Sequence, residues 1–283
     1  MGLNNRMIGK TEFLESLQTA IKENKITLPT LPEVALKVRD AVEQENVTAH
    51  QIADMVATDA ALSTRLLQVA NSPLYRGRVP IESIQMAVTR LGYKLVRSLV
   101  VSLAMKQIFQ ATSDALDVRL RSMWEQSVEI AAISRVLSQN LPHLDRDQAM
   151  LAGLIHNIGA LPVLTWAESY PELMEDETEL DKRVAELTPI IGTQILEFWG
   201  FPETLIKVAA EAQNLGYDGG PQADYVDVVI VARLQALPAD DSNGMANWIN
   251  VPAFLKVGLD PEVELIEIEG VAEDIESVQG VLL

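Results

Sequence analysis

The chain has 283 residues, 48% of them apolar, and no cysteine, which excludes a disulfide framework, a thiolate nucleophile and a thiolate metal site. Its net charge of −18 is uneven: residues 1–110 carry 13 Lys and Arg against 10 Asp and Glu, whereas residues 111–283 carry 9 against 30. The first part is therefore at +3 and the second at −21, a split that predicts modules with different partners and disfavours nucleic acid, whose binding rests on phosphate neutralisation.

In chain order, Thr11–Asn24 reads as a first helix with Phe13, Leu14, Leu17, Ala20 and Ile21 on one stripe. Leu28-Pro-Thr-Leu-Pro32 is a stiff connector, and Pro32 opens a helix to about Gln44. Thr48 and Gln51 have the spacing of a capping box, and Asp59 caps Ala60–Ala70, which Asn71-Ser-Pro73 ends. Ile81–Leu91 and Tyr93–Gln110 follow, hinged at Gly92. Ser113 is placed to cap a long helix through Trp124 to Gln139, and Asp145 to cap one carrying His156. That run, Leu151–Gly159, ends on a residue suited to a helix C-terminus. Beyond it the signals are Pro162–Tyr170, an acidic surface stretch Glu172–Asp181, then Lys182–Glu186, Pro189–Trp199, Pro202–Asn214 and Asp224–Leu237. Residues 242–283 give mixed helical signals, with Pro252 and Pro261 as helix starts. No strand is persuasive, so the fold class expected is all-α. No apolar run approaches the ~20 residues of a bilayer span, and Met1–Arg6 has no signal-peptide core, so a cytoplasmic protein without a membrane role is expected.

Four segments carry a resemblance: Leu28-Pro-Thr-Leu-Pro32, Ile52-Ala-Asp-Met-Val-Ala-Thr-Asp59, Leu66-Leu-Gln-Val-Ala-Asn-Ser-Pro-Leu-Tyr75 and Ile84-Gln-Met-Ala-Val-Thr-Arg-Leu-Gly92. In order and spacing they resemble the HDOD family, bacterial signalling modules related to HD-domain phosphohydrolases. The resemblance covers roughly residues 11 to 237 and implies helical bundles of HD-like architecture. Within it an N-terminal bundle with the signature (1–110) and a degenerate HD-like bundle (111–240) are expected, and the mixed helical signals beyond make 241–283 a C-terminal helical appendage. Periodicity alone says only that these segments pack.

The resemblance also locates the positions where a hydrolytic HD site would hold its metal. Here they are Gln126, the pair His156-Asn157, Thr188, and a distal position at or near Arg233, while Ala212 and Gln213 stand where paired His can occur. A count of histidines gives the same answer without alignment. The chain has three, His50, His143 and His156, and only His156 is placed for a helical core. A catalytic metal site needs several imidazole and carboxylate ligands converging on one ion, and an Arg at a ligand position repels a cation. No metal, no cofactor and no catalytic residue are expected. His156 itself reads either as a ligand remnant or as a buried histidine bonded to a neighbouring helix.

Arg90, Lys94 and Arg97 fall at i, i+4 and i+7, one helical face, within a stretch from 65 to 106 that has seven cations and only Glu82 as an acid. Such a face is solvated, pairs with the acidic half, or docks an anionic partner. The function expected is a non-catalytic signalling module acting through signalling proteins or an anionic small ligand. The alternative is a metal-dependent phosphohydrolase with non-standard ligands.

Overall fold

The computed structural model describes residues 8–44, 46–75, 77–109, 114–237 and 248–283. Ser113, Arg76, the end of the helix expected at Gln110 and the start of the C-terminal segment at Ser242 lie outside the described residues. Those described form helices and turns, with no strand among them. The helices are α1 (Lys10–Lys22), α2 (Glu33–Val42), α3 (Ala49–Ala57), α4 (Ala60–Ala70), α5 (Ile84–Leu91), α6 (Tyr93–Ile108), α7 (Asp114–Leu137), α8 (Arg146–Ile155), α9 (Ala160–Ala167), α10 (Pro171–Met174), α11 (Glu177–Phe198), α12 (Glu203–Glu211), α13 (Tyr225–Gln235), α14 (Pro252–Val257) and α15 (Val271–Leu282).

Local chemistry sets the helix starts. Thr48 and Gln51 form the reciprocal capping box of α3, and Asp59 and Asp145 accept from backbone N–H groups in the first turns of α4 and α8. Asp224 does the same for α13, with Asp227 reaching back to the Asp224 N–H. Gly92, at φ +82°, separates α5 from α6, a conformation that a side chain would strain.

Several expectations are corrected. The acidic stretch from Glu177 on and the two segments after it are one helix, α11, running through Pro189, while Glu172 belongs to α10. Proline deprives one carbonyl of its bond, and the rest of the helix is long enough to carry the defect. Pro261 starts a turn, not a helix; Val263 N–H bonds to Asp260 O at 3.0 Å there. Residues Arg146–Ala167 span 22 residues and contain an 18-residue window of mean hydropathy 1.4, so one stretch does reach membrane-spanning length and apolarity. It is two helices broken between His156 and Gly159, and 83% of its apolar window is buried inside the protein.

The main hydrophobic core draws on residues from Ile8 to Leu282, and Ala70, Ile81 and Ala87 form a small separate cluster. In the first half α2 packs on α3 and α6, and α5 packs on α3, α4 and α6. In the second half α7 lies along α8, where a Cβ on Gly153 would come 2.7 Å from Ala131 Cα, so the two backbones approach as only glycine allows. Helix α7 also carries α13 and α15, and α11 packs on α9 and α12. The halves meet where α6 packs on α8, and through polar contacts. Tyr75 Oη donates to Asp147 Oδ1 at 2.7 Å, and Arg135 Nε donates to the same oxygen at 3.1 Å with its guanidinium over the Tyr75 ring. Burial, then the Asp147 charge, pushes the Tyr75 phenol above its ordinary range.

The signature loop has its own clasp. Asn71 Nδ2 donates to Ile81 O at 2.8 Å and to Leu67 O at 2.9 Å, and Asn71 Oδ1 accepts from Ile81 N–H at 2.8 Å. One amide thus ends α4 and closes the loop over residues 71–81.

Candidate functional site

The site is built on the turn between α8 and α9. His156 ends α8 and Gly159 precedes α9, in a run of turns in which Ala160 N–H bonds to Asn157 O at 2.9 Å. Gly159 is therefore not the helix-terminating residue its position suggested; its φ is −65°, open to any residue. It is glycine for space. A Cβ there would lie 2.2 Å from Thr188 O and 2.4 Å from Gly192 N, so the turn rests on the backbone of α11. This contact brings Thr188 beside the His156 turn.

Gln126, His156, Asn157, Thr188 and Arg233, the five positions singled out in the sequence, line one cleft of about 810 Å³ between α7, the 156–160 turn, α11 and α13. Gln213, just beyond α12, lines it too. The fit of side chains to neighbours is specific. His156 is 6% exposed, and its Nδ1–H donates to Gly153 O at 2.6 Å. A carbonyl only accepts, so Nδ1 carries the proton and Nε2 keeps its lone pair. Burial first, and the Arg233 charge second, push the imidazole pKa down to about 3, so it is neutral at physiological pH.

Asn157 is turned to α7: its Nδ2 donates to Ser127 Oγ at 2.9 Å, while Ser127 Oγ donates to Met123 O at 2.7 Å. Thr188 is 2% exposed and its hydroxyl donates back along α11 to Val184 O at 2.7 Å. Arg233 donates from Nη1 to Ala212 O, and burial lowers its pKa from the ordinary arginine value. At the rim Arg119 and Asp181 are ion-paired. Among the described residues no three His, Asp or Glu side chains cluster as metal ligands.

The second sequence-derived feature is divided by the structure. Gly92 places Arg90 on α5 but Lys94 and Arg97 on α6, so the three do not share one helical face. Arg90 donates to Val79 O in the loop before α5, and Arg97 lies 3.8 Å from Glu43 at the end of α2, not from the acidic half. Sequence reasoning missed Ser127 and the Arg119–Asp181 pair. The available signal for Ser127 was a small hydroxyl on the apolar face of the Trp124–Ile133 helix, which buries without a partner only at a cost.

The HDOD domain family matches residues 28–215 of the chain. A structure from Shewanella amazonensis SB2B, which carries the provisional name metal-dependent phosphohydrolase, is 30% identical and superposes with a TM-score of 0.80 over 99% of this chain and 100% of its own. An HDOD domain protein of unknown function from Geobacter sulfurreducens is 21% identical, with a TM-score of 0.68 over 95% of this chain and 99% of its own. An uncharacterized protein of Treponema pallidum (strain Nichols) is 26% identical over 235 residues, 77% of this chain; the chain spans 44% of that relative's length. The motif order, the helical architecture and the match over residues 28–215 together place this chain in the HDOD domain family.

Proposed function

We propose that this chain is a non-catalytic signal-transduction module whose second half keeps the packing of an HD-type site and has replaced its ligands. The observation that carries the reading is the donor set of the cleft. Of the five converging residues, only His156 offers a lone pair of the kind a transition metal prefers. Asn157 and Gln126 are neutral amides, and the Asn157 amide is already tied to Ser127. The Thr188 hydroxyl is bonded to Val184, and Arg233 brings a positive charge to the position where a cation would sit. A catalytic zinc site typically has three protein ligands and an open position. These residues do not fit a metal, and no hydrolytic step is derived through one.

A module of this kind acts by presenting surfaces or by holding a ligand. The second reading, a metal-dependent phosphohydrolase with unusual ligands, draws on the provisional name of the Shewanella relative. One experiment separates the two: metal content of the purified chain after incubation with manganese and with zinc, alongside hydrolysis of an activated phosphodiester. The proposal expects substoichiometric metal and no turnover above a protein-free control. One equivalent of metal that His156→Ala removes, together with turnover, would establish the second reading.

A further inference from the structure

The cleft combines a half-buried cation, Arg233, with an apolar mouth. A guanidinium stays charged across the physiological range. Arg233 has one N–H group bonded to Ala212 O, and among the described residues burial, with no carboxylate beside it, is what moves its pKa. Its remaining donors form the planar fork that matches an oxyanion. Of the polar residues that line the cleft with it, His156, Asn157, Gln126 and Gln213 are uncharged. Two carboxylates line the outer wall: Asp181, paired with Arg119, and Glu177. At the mouth stand Val118, Leu215 and Leu237, exposed to 76%, 43% and 38%.

We propose that this cleft binds a small organic anion, with its oxyanion head on Arg233 and its apolar body against Val118, Leu215 and Leu237. Where a hydrolase would set a metal to hold a negative group, this chain sets a guanidinium. A volume of about 810 Å³ suits a compact metabolite. Glu177 at the wall favours a singly or doubly charged head over a polyphosphate. A carboxylate and a phosphomonoester share this chemistry, and the test distinguishes them. The proposal rests on the non-catalytic reading of the same cleft.

The test is titration calorimetry of the full chain in EDTA with naphthyl phosphate, naphthoate, uncharged naphthol and inorganic phosphate. At least one of the two charged aromatic probes binds one-to-one, and the tighter of them identifies the head group. Naphthol and inorganic phosphate bind at least about tenfold more weakly, because each lacks half of the recognition. Arg233→Gln abolishes binding of the charged probe. Gln126→Glu, on an exposed position of α7, adds a carboxylate to the cleft wall and weakens binding by about fivefold or more with the thermal midpoint unchanged. The proposal is overturned if neither charged probe binds saturably, if naphthol binds as well as the tighter charged probe, or if Gln126→Glu leaves affinity intact. Failure without turnover removes this inference alone. Release of naphthol from naphthyl phosphate on addition of a divalent metal would instead overturn the non-catalytic reading as well.

Discussion

The loop of residues 71–81 and the turn of residues 156–159 are both polar elements set against apolar helices, and they use their polar atoms in opposite ways. In the loop, Asn71 makes three bonds to backbone, and Tyr75 and Arg135 converge on one oxygen of Asp147. Its chemistry is turned inward and holds the two halves together. At the turn, Asn157 and Thr188 are likewise satisfied by neighbours, but His156 keeps its Nε2 lone pair and Arg233 keeps most of its donors, both lining an open cleft. The difference separates residues whose polar atoms are spent on the fold from residues whose polar atoms face the cleft.

Breaking the turn has the largest effect. Gly159→Ala forces a Cβ into the backbone of α11, and neither contact is with a flexible side chain. A loss of roughly 3–5 kcal/mol is expected by chemical denaturation, in the range of severe overpacking. Gly192→Ala, the other side of the same contact, meets nothing closer than 3.4 Å and should change stability by no more than about 1 kcal/mol. Equal effects at the two glycines would contradict the packing described.

Opening the loop comes next. Asn71→Ala removes one amide from Ile81 and Leu67 and should lower stability by about 2–3 kcal/mol, since each lost bond leaves a backbone group to be re-solvated. Loosening should concentrate in residues 71–81, read as faster amide exchange at Ile81. A uniform fall across the protein would count against a local clasp.

The cleft gives a pH signature. Folded His156 has a pKa of about 3 against an ordinary 6.5. Between those values the unfolded chain binds a proton that the folded chain refuses, so stability rises with pH across that window and falls on acidification. The slope from this group is at most about 1.4 kcal/mol per pH unit. Stability curves between about pH 4 and 6 should be steeper for the wild type than for His156→Gln; parallel curves would show that the imidazole is not held neutral.

The smallest effect is the most discriminating for function. Asn157→Asp restores a carboxylate beside His156 but loses the donor to Ser127, a cost of about 1–2 kcal/mol. Arg233 lies on the same cleft to pair with the new charge. The variant should stay folded, bind no stoichiometric metal and hydrolyse no phosphodiester. Metal uptake with turnover would show that one substitution separates this chain from an enzyme.

Much of this was legible in the sequence where the cause is local. The capping groups of Thr48, Asp59, Asp145 and Asp224 lie within three residues of the N–H groups they accept from, so the starts of α3, α4, α8 and α13 could be read directly. The continuity of α11 through Pro189 could not, because a proline that packing tolerates has the same local signal as one that ends a helix. Family resemblance grouped Gln126, His156, Asn157, Thr188 and Arg233 by their motif positions, and all five line one cleft. Their hydrogen bonds were hidden, since Ser127 meets Asn157 across 30 positions and Arg233 meets Ala212 across 21. The basic triplet failed for a related reason: helical spacing was counted across Gly92, where the backbone changes direction.

On the proposed reading, the cleft presents a neutral imidazole beside a fixed cation and is not a metal site. Nitrogen-15 NMR of the His156 ring tests this most directly, at about pH 6 and during addition of one equivalent of zinc. The expected spectrum is that of a single neutral ring protonated at Nδ1, with an Nε2 resonance unmoved by the metal. An imidazolium at that pH, or an Nε2 shift that saturates at one zinc per chain, would contradict it.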